Sequence, residues 1–252
     1  MKKLKFLQRF FMLLFVGFAM CAVQACGDDE EDEPIQDPNE EEVVKPDDGE
    51  EEDEPSDKPT DTMEAVDLGL SVKWASCNVG AISPEEYGDY FAWGDTKPRS
   101  SYDFDNSTTY GFTKSELESR GIIDEDGNLT AVYDAATVNW GKVWRMPTMD
   151  EIVELLDKCT WEWITYKNVN GRLVTGPNGN SIFLPATGCQ IGTDLLSAGS
   201  YGYYWSAMLD NSINCAFGLY VYSDNYYWNS FSRDHGHAVR PVLDESLNDS
   251  EK

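Results

Sequence analysis

The stretch YGYYWSAMLDNSINCAFGLYVYSDNYYWNSF, residues 201–231, carries 11 aromatic side chains in 31 positions. Apolar and small or polar residues alternate along much of it, which is the period of a pleated strand. Turn-forming Asp210-Asn211 and Ser223-Asp224-Asn225 interrupt the pattern, and Arg233-Asp234-His235-Gly236 follows it. Strands are therefore expected over residues 203–208, 214–222, 226–232 and 237–243, joined as an antiparallel meander. Alternation sends Tyr220 and Tyr222 to one face and Leu219 and Val221 to the other. The run Tyr226-Tyr227-Trp228 must also point both ways. One face can be core, and the other needs a covering loop or a ligand. Tyr220, Tyr222, Tyr226, Trp228 and Asn229 are the candidate ligand-binding residues, with Asn225 and Asp224 beside them. A flat ring suits the apolar face of a sugar, and the amides suit its hydroxyls, so glycan ranks first. The segment 97–130 is long enough to cover these rings instead.

Upstream, residues 172–175 and 180–184 read as strands joined through Gly176-Pro177-Asn178-Gly179, a hairpin signal. Trp161, Trp163 and Thr165 alternate with Glu162 and Ile164 in another strand. The best helix follows Arg145-Met146-Pro147. Thr148 is its N-cap, Glu151 completes a capping box, and Asp150 favours the first turn. Ile152, Leu155, Leu156 and Cys159 recur at helical spacing on one face. Shorter helices are expected at 115–119 and 133–140, the second stopped by Gly141. Residues 66–75 give two short strands about Gly69, and 90–94 give another. The class is α+β, with many short antiparallel strands and two or three short helices. No βαβ rhythm, glycine-rich nucleotide loop or internal repeat is found.

Composition divides the 252-residue chain. Residues 1–26 hold four basic and no acidic side chains, residues 27–61 hold 19 acidic and two basic, and the remainder holds 27 acidic and 13 basic. The net −27 argues against nucleic acid as a partner, because phosphate binding relies on lysine and arginine. All Trp and Tyr lie after residue 61, where one core can form.

Lys2, Lys3, Lys5 and Arg9 precede an apolar run from Phe10 to Ala22, the pattern of an export signal over residues 1–25. Val23-Gln24-Ala25-Cys26 resembles a bacterial lipobox, with Gln24 in place of the usual small residue. Lipidation is expected at Cys26, which makes outer-membrane lipid a partner; a soluble product cut after Ala25 is the alternative. The acidic cluster from Asp28 to Glu33 resembles the surface-export signal of Bacteroides lipoproteins. Residues 26–61, with Pro34, Pro38, Pro46, Pro55 and Pro59, read as an acidic disordered tether before a single domain at 62–245. Residues 246–252 read as a tail.

Several motifs together carry a family resemblance. Val66-Asp67-Leu68-Gly69-Leu70-Ser71-Val72-Lys73-Trp74-Ala75, Tyr87-Gly88-Asp89-Tyr90-Phe91-Ala92-Trp93-Gly94, Trp144-Arg145-Met146-Pro147-Thr148, Tyr204-Trp205-Ser206 and Val239-Arg240-Pro241-Val242 stand in order. Over residues 64–243 the chain resembles the Fibrobacter succinogenes major paralogous domain family, abundant as surface lipoproteins in Bacteroides. The resemblance implies an irregular fold akin to C-type lectin-like domains and formylglycine-generating enzymes, and brings no activity. The calcium loop of the lectins and the active cysteine pair of the enzymes have no counterpart here.

Cys77, Cys159, Cys189 and Cys215 are an even count in an exported domain, and a Cys77–Cys159 disulfide is the expected pairing. No Cys/His cluster has zinc spacing. Asp124, Asp126, Asn128 and Thr130 alternate like a calcium loop, but glycine stands fourth and Ala135 occupies the place of the bidentate glutamate. No metal and no cofactor are expected. Asp234, His235 and His237 read as surface residues near a turn, with a metal or sugar-binding edge as the alternative. Arg145 and Arg240 are expected to satisfy buried backbone or carboxylate groups, with anion binding as the alternative. No nucleophile elbow or zincin motif occurs. The expected function is a non-enzymatic surface binding or adhesion module for glycan or a host or diet-derived macromolecule. The alternatives are an exported hydrolase of polymers and a structural part of a surface assembly.

Overall fold

The computed structural model describes residues 64–245. The expected signal peptide, Cys26, the tether and the tail lie outside the described residues.

Four groups of strands and three helices make up the described part. β1 (Ala65–Val66), β2 (Lys73–Ala75), β3 (Trp144–Arg145) and β12 (Val242–Leu243) form an antiparallel sheet in the order β1-β2-β12-β3. β4 (Thr160–Tyr166), β5 (Val169–Thr175) and β6 (Ser181–Pro185) form a second in chain order, and β7 (Cys189–Ile191) pairs with β8 (Asp194–Leu196). The aromatic stretch forms the third sheet, β11-β10-β9, from β9 (Tyr201–Leu209), β10 (Cys215–Tyr222) and β11 (Tyr226–Ser232). The helices are α1 (Lys114–Ser119), α2 (Ala135–Trp140) and α3 (Met149–Lys158). The fold is α+β.

Side-chain chemistry fixes where the helices begin. Thr148 accepts from the Glu151 amide, and the Glu151 carboxylate accepts from the Thr148 amide at 2.8 Å, so two orphan donors of α3 are satisfied reciprocally. Thr113 and Glu116 repeat the device on α1. Asp134 caps α2, and its second oxygen accepts the Met146 amide at 2.8 Å. Burial raises the Asp134 carboxyl from its usual range.

Two expected strands differ. Residues 90–94 make no extended strand; Phe91 forms a single bridge with His237. Residues 237–243 do not continue the meander, because only Val242 and Leu243 are in a strand, and it lies between β2 and β3. Arg240 explains the diversion. Its fully buried guanidinium donates to Asn78 Oδ1 at 2.8 Å and to the carbonyls of Ala75, Ser76 and Phe183 at 2.9–3.0 Å. A buried cation must gather acceptors, and these draw the last segment to the first strands. The β7–β8 hairpin and β3 are additional to the strands expected.

Two cores lie on opposite sides of the aromatic sheet. Leu68, Trp74, Ile152, Leu155, Val174, Leu184, Tyr204, Leu219 and Val221 pack on one side, where α3 crosses the strands. Phe91, Trp93, Ile122, Ile123, Leu129, Met146 and Trp205 pack on the other. Each fully buried large side chain contributes about 1.5–3 kcal/mol over exposure. Close approaches leave two glycines no room. A Cβ on Gly176 would lie 2.0 Å from the Leu68 carbonyl oxygen, and one on Gly218 would lie 2.5 Å from that of Tyr204.

Candidate functional site

The register of the aromatic sheet sets Tyr222 opposite Tyr201, and Tyr220 opposite both Tyr203 and Tyr227. Directly paired residues share a face, so these five tyrosines fan over one side of three strands. Their rings touch: Tyr201 stacks parallel to Tyr220 at 5.6 Å and 4°, Tyr203 lies 4.8 Å from Tyr220, and Tyr227 meets Tyr220 edge-on at 5.4 Å. Tyr222 lies 5.3 Å from Tyr220. Tyr227 is 37% exposed and the other four are half-buried. Burial, and then contact with the Tyr203 hydroxyl, push the Tyr220 phenol well up. It keeps its proton at any physiological pH.

The sequence-derived platform is corrected in part. Tyr226 and Trp228 lie on the opposite face, packed against the α3 side core. Tyr226 stacks on Trp161 at 4.5 Å and 11° with the Arg172 guanidinium 5.2 Å from its ring, and Trp228 meets Phe217 edge-on at 5.5 Å. Strand parity is the reason: even residues of β11 share a face with the odd residues Leu219 and Val221 of β10. Asn229 is exposed on the tyrosine side, opposite Gly218. Tyr201, Tyr203 and Tyr227 join the platform. Their parity was available in the sequence, but the pairing register was not.

Half of this face is covered. Trp205, Phe231 and His237 lie under Phe91, Trp93 and residues of the 97–130 segment, including Ile122, Ile123 and Leu129. The covering segment expected as the alternative thus closes one end, and the tyrosines occupy the open end. The β7–β8 hairpin adjoins them through a Gly188–Gly202 bridge, with Leu195 and Leu196 exposed. The exposed turn Ser223-Asp224-Asn225 closes the other margin.

His237 is not a surface residue. It is fully buried, stacks on Trp205 at 4.1 Å, and lies 5.2 Å from Tyr203. Neither ring nitrogen has a hydrogen-bond partner among the described residues. Burial, aided by the nearby His235, drives its pKa well below the usual value. His235 is also lowered by burial.

Arg145 donates to Glu151 Oε1 at 2.6 Å and to Asp244 at 3.0 Å, and Arg240 is held by four acceptors. Both knit the ends of the fold. The expected disulfide is absent: Cys77, Cys159, Cys189 and Cys215 are all free. Cys77 directs its thiol to the Ala81 carbonyl at 3.4 Å, whereas Cys159 ends α3 in the core beside Leu155, so their sulfurs serve separate environments. Burial pushes the Cys159 thiol up to about 11 and also raises Cys77 and Cys189.

Asp124 uses its Oδ1 to accept the Asn128 amide at 2.8 Å, so the alternating acidic segment closes its own turn. Among the described residues no group of three or more His, Cys, Asp or Glu is placed to hold a metal ion. An acidic groove runs along α3, lined by Ser71, Asp150, Glu154, Asp157 and Lys158. Burial opposes ionisation of Glu154 there, yet bonds from Lys158 and Ser71 prevail and lower its pKa. Glu154 is therefore a poor proton donor at neutral pH.

Comparison with family models, curated proteins and solved structures finds no match for this chain.

Proposed function

We propose that this chain is a cell-surface lipoprotein whose folded part binds glycan without catalysis. One observation carries the reading. Five tyrosines gather in contact on one sheet face, Tyr227 exposed and the other four half-buried, where an ordinary surface would scatter them. Their mutual contacts hold the rings in place, so little side-chain entropy is lost on binding. Each offers an apolar ring to a sugar face and a hydroxyl to its hydroxyls.

Cys26 would hold the chain on outer-membrane lipid, facing outward, and the acidic segment would space the domain from the membrane. Replacing Cys26 with Ala should abolish incorporation of labelled palmitate, and persistent labelling would refute the anchor. The motif order supports membership of the Fibrobacter succinogenes major paralogous domain family, and with it a C-type lectin-like fold. Arg240 gives the motifs a shared purpose, because the last motif bonds the backbone at Ala75, where the first one ends.

A glycan array with the full chain tests the binding. Binding to a glycan class, lost in a Tyr222→Ala/Tyr227→Ala double variant assayed at a temperature where it is folded, is the expected result. An array with no bound glycan, or a variant that binds equally, would overturn the reading.

A further inference from the structure

We infer that the glycan taken by the tyrosine face is a neutral polysaccharide, contacted over about two sugar rings, and that acidic glycans are turned away. This rests on the glycan-binding reading and adds its chemical class. The open face consists of aromatic rings whose π faces carry partial negative charge. An anionic sugar laid on them would lose water and gain no cation, which costs several kcal/mol for an unpaired ion.

The arginines that touch this sheet lie away from the open face. Arg172 reaches β10 from the opposite side, where it donates to the Tyr222 and Ser223 carbonyls at 2.6 and 3.0 Å. Arg233 is buried under the covered end, where its Nη2 donates to the Phe112 carbonyl at 2.9 Å while Nε and Nη1 have no partner among the described residues, so burial and not pairing keeps it from the open face. At the open margin the exposed charge is Asp224, and Asp194 lies on the adjoining hairpin. The long-range field is also negative, since residues 62–252 carry 27 acidic against 13 basic side chains.

Size follows from the strands. β9 to β11 spans two inter-strand spacings, about 10 Å, which suits a disaccharide. Tyr201 on β9 and Tyr227 on β11 mark the two margins, with Tyr222 and Tyr220 on β10 between them, and Asn229 is available to a hydroxyl.

Affinity electrophoresis of the full chain through gels holding a neutral β-glucan, mannan or xylan, or holding polygalacturonate, alginate or heparin, tests this. Retardation by a neutral polymer and by none of the acidic ones is expected. It should be lost on Tyr222→Ala/Tyr227→Ala and be unchanged between about 0.05 and 0.5 M salt, because no ion pair is screened. Asp224→Lys should admit polygalacturonate. Preferential retardation by an acidic polymer, or a tenfold loss with salt, would overturn the neutral class and leave glycan binding standing. Neutral retardation indifferent to the tyrosine substitutions would overturn the assignment to this face. No retardation by any polymer would overturn both.

Discussion

Tyr204 and Trp205 are neighbours in the chain, yet their side chains enter different cores. Tyr204 packs with Leu155, Leu219 and Val221 beneath the aromatic sheet, and its hydroxyl donates to the Pro185 carbonyl. Trp205 packs with Phe91 and Trp93 above it, and its indole donates to the Phe91 carbonyl at 2.7 Å. β9 is therefore the wall between two packed layers. The same alternation continues one pair further to Tyr203, which emerges at the edge of the cover and begins the open tyrosine face. Position on that face is thus fixed by burial beneath it.

Arg240 should be the costliest polar residue to replace. Arg240→Met removes one buried cation but strands the Ala75, Ser76 and Phe183 carbonyls and the Asn78 amide oxygen. A loss of about 3–5 kcal/mol is expected from the urea midpoint. Arg240→Lys should recover little, since an ammonium cannot span four acceptors set for a planar fork. A midpoint within error of the parent would refute this role.

Stability should fall as pH drops through the ordinary imidazole range. Unfolded, His237 titrates near about 6.5; folded, it stays neutral to well below that value. Above about pH 7 neither state binds a proton there. Below about 6.5 the unfolded chain takes up protons that the native state refuses, and His235 acts in the same direction. Each such group removes up to about 1.4 kcal/mol per pH unit. The raised carboxyl of Asp134 works oppositely, gaining stability as pH falls, so a comparison with His237→Phe isolates the imidazole. This variant keeps the stacked ring and discards two orphan nitrogens. It should be more stable by about 1–3 kcal/mol at neutral pH and show a shallower acid slope. Equal slopes from chemical denaturation at about pH 7 and 5 would sink the argument.

The four cysteines of the fold should remain thiols. Peptide mapping after alkylation without reductant should find Cys77, Cys159, Cys189 and Cys215 each modified once the chain is unfolded. In the native state Cys215, only half-buried, should react first, while burial holds the other three thiols up. A cross-linked Cys77–Cys159 peptide would restore the pairing that the even cysteine count and export first suggest.

Local signals were legible wherever a few neighbouring residues decide the outcome. Thr148 with Glu151, Gly141 after α2, and Gly176-Pro177-Asn178-Gly179 each act within a turn, and each element formed where its residues specify. Strand parity was legible too, since Tyr220 and Leu219 divide as alternation requires. Long-range partners were not. Residues 237–241 have strand-like composition, but the acceptors of Arg240 lie as far as 165 residues away, and no one-dimensional pattern reports them. His237 likewise sits beside a turn in sequence, and its burial depends on Trp205 and Phe91 meeting above it. The site was half legible: parity grouped Tyr220 with Tyr222, while joining Tyr226 and Trp228 to them required a register that the chain does not adopt.

Tyr226 and Tyr227 supply the sharpest test of the two faces, because one peptide bond separates opposite roles. Tyr226 is clamped between the Trp161 ring at 4.5 Å and the Arg172 guanidinium at 5.2 Å, against the α3 side core. Tyr226→Ala opens that stack, and a loss of about 2–4 kcal/mol is expected from the cavity and the lost aromatic and cation contacts. Tyr227 is 37% exposed and touches Tyr220 and Tyr222 by ring edges alone. Tyr227→Ala should cost less, about 1–2 kcal/mol, since over a third of its surface is already in water. Glycan retention should show the reverse order, with Tyr227→Ala weakening it at least tenfold and a partly destabilised Tyr226→Ala retaining it at temperatures where it is folded. Paired urea melts and gel retardation read both quantities on the same samples. A Tyr227→Ala protein as unstable as Tyr226→Ala would mean that the tyrosine face is packed interior, and the proposed binding surface would fall with it.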